Sequence, residues 1–243
     1  QQQKFFAKQM AFVLEDVNKS EYKIFYIHQC DKRSFNRGAM KNIGFLFIKD
    51  KYPNNYKDIT MVFNDVDTMP YSKNFLHYET KNGSVKHFYG YKYALGGIVS
   101  IKGKDFESIA GFPNLWSWGH EDNLLQRRVL EANLTIDRSE FYPLMDKNIF
   151  QMKDGLIRLV NRGEFDKYTS LTDEGWKSIF ELTYDVDETS GFVNVRSFNT
   201  GREEDVKLTV EYDMRNGNRP FNVNPPILSN SSRRGRPRMG MII

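Results

Sequence analysis

A single cysteine, Cys30, among 243 residues rules out an intrachain disulfide and a cysteine-built zinc site. It also points to a reducing compartment. Histidine is nearly as scarce: the four are His28, His77, His87 and His120, so no imidazole is offered beyond residue 120. No uninterrupted apolar run approaches the roughly 18 residues that span a bilayer, and the opening QQQKFFAKQ has no apolar signal core. A soluble, cytoplasmic chain is therefore expected, or a lumenal one if residues ahead of it carried an anchor. Acids are missing from residues 214–243, which hold six arginines, so the rest of a chain with formal charge +4 carries −2. Any argument for nucleic-acid contact belongs to that tail and not to the body.

What is present is a core. Hydrophobic residues make up 40% of the chain and aromatics 14%, enough for one large packed domain. Phe5, Phe6, Met10, Val13, Leu14 and Val17 recur at helical spacing, and YKIFYIH at 22–28 reads as a strand. A second helix is predicted after FNRG (35–38), with Met40, Ile43 and Phe47 turned inward, and ITMVF at 59–63 as a buried strand. Residues 71–90 read as a loop and YALGGIVSIK at 93–102 as a strand. DNLLQRRVLEAN reads as a helix with Asp122 at its start. A short helix near Trp176 and strands at LTYDVD, GFVNVRSF and EDVKLTVEYD follow, with no internal repeat. Helices alternating with strands predict an α/β sheet, whose ligands usually bind beyond the carboxyl ends of the strands.

Four stretches carry chemistry. FNDVDTMP (63–70) puts Asp65 and Asp67 where a buried strand leaves the sheet; two apart on an extended chain, they share a face and invite a cation. FNRG places Arg37 at a helix start. Gly96 and Gly97 in ALGG allow close backbone approach, and WSWGHED sets aromatic faces beside Glu121 and Asp122.

In this order and spacing, FNRGAMKNIGF, MVFNDVDTMP, LGGIVSIKGKDF and GFPNLWSWGHED closely resemble the β-1,4-galactosyltransferase family of inverting, UDP-sugar-dependent transferases. The resemblance runs from about residue 1 to 140 and fades towards 200. It implies an α/β, Rossmann-like nucleotide-diphospho-sugar transferase (GT-A type) fold as one domain over 1–200, and a tail rich in Asn, Pro, Ser and Arg makes 201–243 a flexible C-terminal extension. It further implies transfer of a hexose, galactose or an N-acetylhexosamine, from a UDP-sugar to a glycan or glycoconjugate acceptor, assisted by Mn2+ or Mg2+. Carried over residue by residue, Asp122 matches the catalytic base with Glu121 beside it, and Asp67 the metal ligand. Phe35, Arg37, Asp65, Val66, Lys86, Gly97 and Trp118 match the donor-binding side.

Several departures accompany the match. The family's metal-binding histidine downstream of the acidic motif has no counterpart, leaving Met152 or Asp154 in FQMKDG as substitutes, a thioether being a poor ligand for magnesium. The family's first strand would precede residue 1. Asn123 replaces an acid that helps hold the acceptor, and His120 stands where glycine is usual, reading as a hydrogen-bonded surface side chain. Ala94 stands where many members carry a bulky tyrosine, which leaves room for an N-acetyl group on the donor. The departures also frame an alternative, a transferase-fold binding or scaffold protein without turnover. RGRP at Arg234–Pro237 resembles an AT-hook core, though a solvated tail is the simpler reading.

Overall fold

A computed structural model describes residues 1–152, 156–170, 174–216 and 220. The chain runs α1 (Gln2–Val13), β1 (Tyr26–Gln29), α2 (Arg37–Lys51), β2 (Thr60–Asn64), β3 (Thr68–Pro70), β4 (Ser84–Gly90) and β5 (Ile98–Lys102). Then come α3 (Gly103–Ser108), α4 (Glu121–Glu131), β6 (Thr135–Asp137), β7 (Tyr142–Pro143), β8 (Ile149–Gln151), β9 (Ile157–Asn161) and α5 (Arg162–Thr169). β10 (Phe180–Asp187), β11 (Phe192–Asn199) and β12 (Thr209–Asp213) complete the order.

The main sheet has the order β2-β5-β4-β6, with β7 also on β4. β2, β5 and β4 are antiparallel neighbours, while β6 and β7 join β4 in parallel. A second sheet, β1-β11-β10, sets β1 parallel to β11. The α/β alternation thus holds while much of the pairing is antiparallel.

Helix α2 positions the site. Its start is fixed by Asn36, whose side chain accepts from the Ala39 N–H, a cap worth about 1 kcal/mol. One face buries Ala39, Met40 and Ile43 against Trp116, Val195 and Phe198. Phe45 points into the other core, with Phe106, Phe112, Val99, Ile101 and Leu125. α1 covers a third cluster, packing Phe6, Met10 and Val13 on Met69.

Three sequence expectations change. Residues 71–90 are not all loop: Ser84–Gly90 forms β4, its Val85, Phe88 and Tyr89 buried behind the polar Lys86 that masked the pattern. The strand expected from residue 93 starts only at Ile98, because Leu95 N–H donates to the Asp122 carbonyl and the chain turns at Gly97, φ +69°. Phe5 faces outward, although it fits the helical period. The expected strand after residue 200 forms as β12 and pairs antiparallel with β9, so residues up to Asp213 fold back onto the body. Among the described residues no helix is long and apolar enough to cross a membrane. The RGRP segment lies outside the described residues.

Candidate functional site

Three elements converge at one end of the main sheet. The first turn of α2 supplies Arg37 and, four residues on and on the same face, Lys41. The turn after β2 supplies Asp65, and the first turn of α4 supplies Glu121 and Asp122, where the helix dipole favours anions. Arg37 lies 3.3 Å from Asp65 Oδ2 and 3.7 Å from Glu121 Oε1. Lys41 Nζ lies 3.6 Å from Asp65 Oδ1 and 3.4 Å from Asp122 Oδ1.

Backbone bonds lock this geometry. Asp65 N–H donates to the Gly97 carbonyl, and Thr68 N–H closes a turn on the Asp65 carbonyl, each at 3.0 Å. The turn corrects the expectation that Asp65 and Asp67 share a face of an extended strand: the chain bends between them. Gly96 is required by contact, since a Cβ there would stand 2.2 Å from Asp122 Oδ2.

Enclosure and charge set the protonation states. Burial opposes the Asp65 anion, yet Arg37 and Lys41 outweigh it and hold the carboxyl below its ordinary range. Asp122 goes the other way: burial, with Glu121 and Asp65 as like charges, pushes it to about 7 against the pull of Lys41. Asp65 raises the pKa of Arg37 most, and Glu121, Asp122 and Asp67 add to it. Four carboxylates therefore act on two cations, an excess of two negative charges when all are ionised, which suits a divalent cation.

Beside the cluster opens a cleft of about 180 Å³, walled by Phe35, Arg37, Trp118, Glu121, Ile157 and Leu159. Phe35 is exposed at the mouth of this cleft. Trp118 N–H donates to the Leu159 carbonyl at 2.7 Å, which draws β9 over the cleft.

The structure gathers Phe35, Arg37, Asp65, Gly97, Trp118, Glu121 and Asp122 into one region, and it leaves two expected residues elsewhere. Lys86 sits on β4 with its ammonium on the His77 carbonyl (2.8 Å) and Glu140 (3.5 Å), because its register position faces Ser100 and Asp137. Val66 turns its side chain into the α1 cluster. The Asp67 carbonyl accepts from Met152 N–H at 2.8 Å, extending the β3–β8 ladder. Met152 is thus beside Asp67 along the backbone, but its side chain packs against the α1 cluster. Asp154 lies outside the described residues, among which no group of three or more His, Cys, Asp or Glu side chains is arranged to hold a metal ion.

His120, expected at the surface, is half-buried among aromatic rings. Its ring stacks on Tyr168 at 4.4 Å and meets the edge of Phe165 at 5.1 Å, and burial lowers its pKa. Asn123 Nδ2 donates to the Tyr93 carbonyl, and Ala94 is buried beside Leu95. Sequence reasoning missed Lys41 and the β9 wall. The signal for Lys41 was its i+4 spacing from Arg37; that for β9 was hidden in a polar segment.

Residues 2–79 match the model for the N-terminal region of glycosyl transferase group 7, and residues 76–153 that for the N-terminal domain of galactosyltransferase. The chain is 30% identical over 128 residues to β-1,4-galactosyltransferase 7 of Drosophila melanogaster, covering 49% of this chain and 38% of that protein. It is 28% identical over 200 residues to xylosylprotein 4-β-galactosyltransferase of Caenorhabditis elegans, covering 79% and 64%. Against human β-1,4-galactosyltransferase 6 the identity is 28% over 158 residues, covering 61% and 40%. The chain thus spans about two fifths to just under two thirds of the length of these relatives. Its fold is shared with the catalytic domain of Drosophila β-1,4-galactosyltransferase 7 in complex with xylobiose, with TM-score 0.59 at 20% identity over 85% of this chain and 90% of that one. A mutant of the same enzyme with manganese, UDP-Gal and xylobiose gives TM-score 0.60 at 19% identity over the same shares.

Proposed function

The chain belongs to the β-1,4-galactosyltransferase family, and from that premise we propose that it transfers a hexose from a UDP-sugar to a glycan hydroxyl with inversion. The observation that carries this reading is the convergence of Arg37, Asp65, Glu121 and Asp122 from three elements beside an aromatic-walled cleft. Asp122 is the general base. Its pKa of about 7 lets it accept a proton at neutral pH, as a base in this chemistry must. The acceptor hydroxyl gives its proton to Asp122 while its oxygen bonds to the anomeric carbon, and the bond to the UDP oxygen breaks with its electron pair on the diphosphate. One carboxylate suffices, since inversion needs no glycosyl-enzyme intermediate.

Arg37 presents its guanidinium to the diphosphate, and Asp65, held ionised by its two cations, faces the nucleotide side. Phe35 and Trp118 supply flat faces for base and sugar. The excess negative charge of the cluster fits a divalent cation, which Asp67 would hold and which, when bound, neutralises the departing diphosphate. Residues up to about 200 form the catalytic unit, with 201–216 strapped to it through β12. The single cysteine, Cys30, free in this structure, suits a reducing compartment.

Calorimetric titration with UDP, with and without Mn2+, tests the reading. Binding should require the metal, and Asp67→Ala should weaken it at least about tenfold, roughly 1.4 kcal/mol. No UDP binding, or binding indifferent to both metal and Asp67, would overturn the donor site and favour a scaffold without turnover.

A further inference from the structure

Lys41 is a nearly enclosed lysine, its side chain 12% exposed, with its ammonium 4.5 Å from the centre of the Phe112 ring. A buried ammonium is held only where carboxylates compensate it. Here two do: Asp65 through Oδ1 at 3.6 Å and Asp122 through Oδ1 at 3.4 Å. They come from different elements, so the same charge ties the donor-side carboxylate to the carboxylate assigned as base. The two oxygens of Asp122 are not equivalent. Oδ1 faces Lys41, whereas Oδ2 packs against Gly96, in the place a Cβ would take.

Resting on the transferase reading above, we propose that Lys41 is a positioning residue for the reaction, holding the Asp122 carboxylate in place through Oδ1 for its proton transfer from the acceptor hydroxyl. It acts through Asp122 and touches no reacting atom. The charged groups that face Asp122 are Lys41 and Arg37 from α2, Asp65 from the turn after β2, and Glu121 from α4. Asp65, Glu121 and burial all disfavour the anion, and Lys41 is the strongest influence in its favour. Arg37 is a weaker substitute, because its guanidinium is engaged with Asp65 and Glu121. Without the ammonium the base would be both misaligned and protonated at neutral pH.

The test is carbon-13 NMR titration of the side-chain carboxyls in the whole ligand-free chain, with the Asp122 resonance assigned by its loss in Asp122→Asn. In Lys41→Met, of similar length but neutral, the Asp122 midpoint should rise by about one pH unit or more, a tenfold change in its ionisation equilibrium. Lys41→Arg, which keeps the charge, should stay within about half a unit of the parent. In sugar transfer, the acid limb of kcat/KM should move with the NMR midpoint and kcat/KM at pH 7 should fall at least about fivefold, while the donor KM changes less than about threefold. An unmoved midpoint in a folded Lys41→Met protein, or equal losses in the Met and Arg variants, would overturn the proposal. If Lys41→Met does not fold, Lys41→Gln carries the same comparison. A midpoint that shifts in a chain that transfers no sugar would sink the transferase reading and leave the Lys41–Asp122 link standing.

Discussion

A carboxyl held near pH 7 ties rate and stability to pH in opposite directions. As the proposed base, Asp122 must be ionised to accept a proton, so transfer should fall tenfold per unit as pH drops below about 7. Its folded pKa is raised above an unfolded value near ~3.9, so its contribution to stability is full below about pH 4 and is lost as pH rises through 7. Asp122→Asn should therefore abolish transfer yet raise the melting temperature by about 3 °C at pH 8, with little change at pH 4. Scanning calorimetry of both proteins at the two pH values checks this, and a lower melting temperature at pH 8 would contradict it. At this scale the acids were legible, because Glu121 and Asp122 stand at a predicted helix start and Asp65 after a predicted strand. Lys41 was not, since one lysine among Met40, Ile43 and Phe47 reads as a solvated charge until the fold turns α2 between two cores. Lys86 failed for the converse reason: its type suits a phosphate, and only strand register shows that it faces Glu140.

Among the elements, the β9–β12 ribbon depends on one buried side chain. Asn161 caps α5 by accepting from Glu164 N–H, and its amide donates to the Asp205 carbonyl at 2.8 Å and Thr209 Oγ1 at 2.9 Å. Asn161→Ala removes the cap and two hydrogen bonds to the segment that leads into β12, a loss of about 2 kcal/mol. Hydrogen exchange should quicken across residues 157–161 and 205–213 and leave β2 and β5 unchanged; faster exchange throughout would show that the ribbon is not a separable unit. α2 and α4 were readable from periodicity and their first-turn residues. β9 and α5 were not, because Ile157 and Leu159 are exposed and their pattern is completed only by a partner strand about 50 residues on.

Across the whole molecule, the α/β rhythm predicted the layered arrangement, but pairing was beyond the sequence: no local signal says that β4 and β5 run antiparallel or that β11 returns beside β1. α2 joins the layers, because Phe45 lies in one core while Ala39 and Ile43 lie in the other. Phe45→Ala should cost about 3–5 kcal/mol and lower the melting temperature by about 10 °C. Trp116 and Trp176, one in each core, should still report a single transition in fluorescence and circular dichroism. Two separated transitions would mean that the helix does not couple the layers.

The cleft has two unlike walls. One is α2, where Arg37 and Lys41 share fifteen residues with the anchors of both cores, so a change there alters chemistry and folding together. The other is β9, attached through a ladder to β12 and a bond from Trp118. Substitutions at Ile157 or Leu159 can reshape what enters the cleft without disturbing the charges that act on it, which makes the ribbon the region where the shape of the cleft is free to diverge among descendants of this chain.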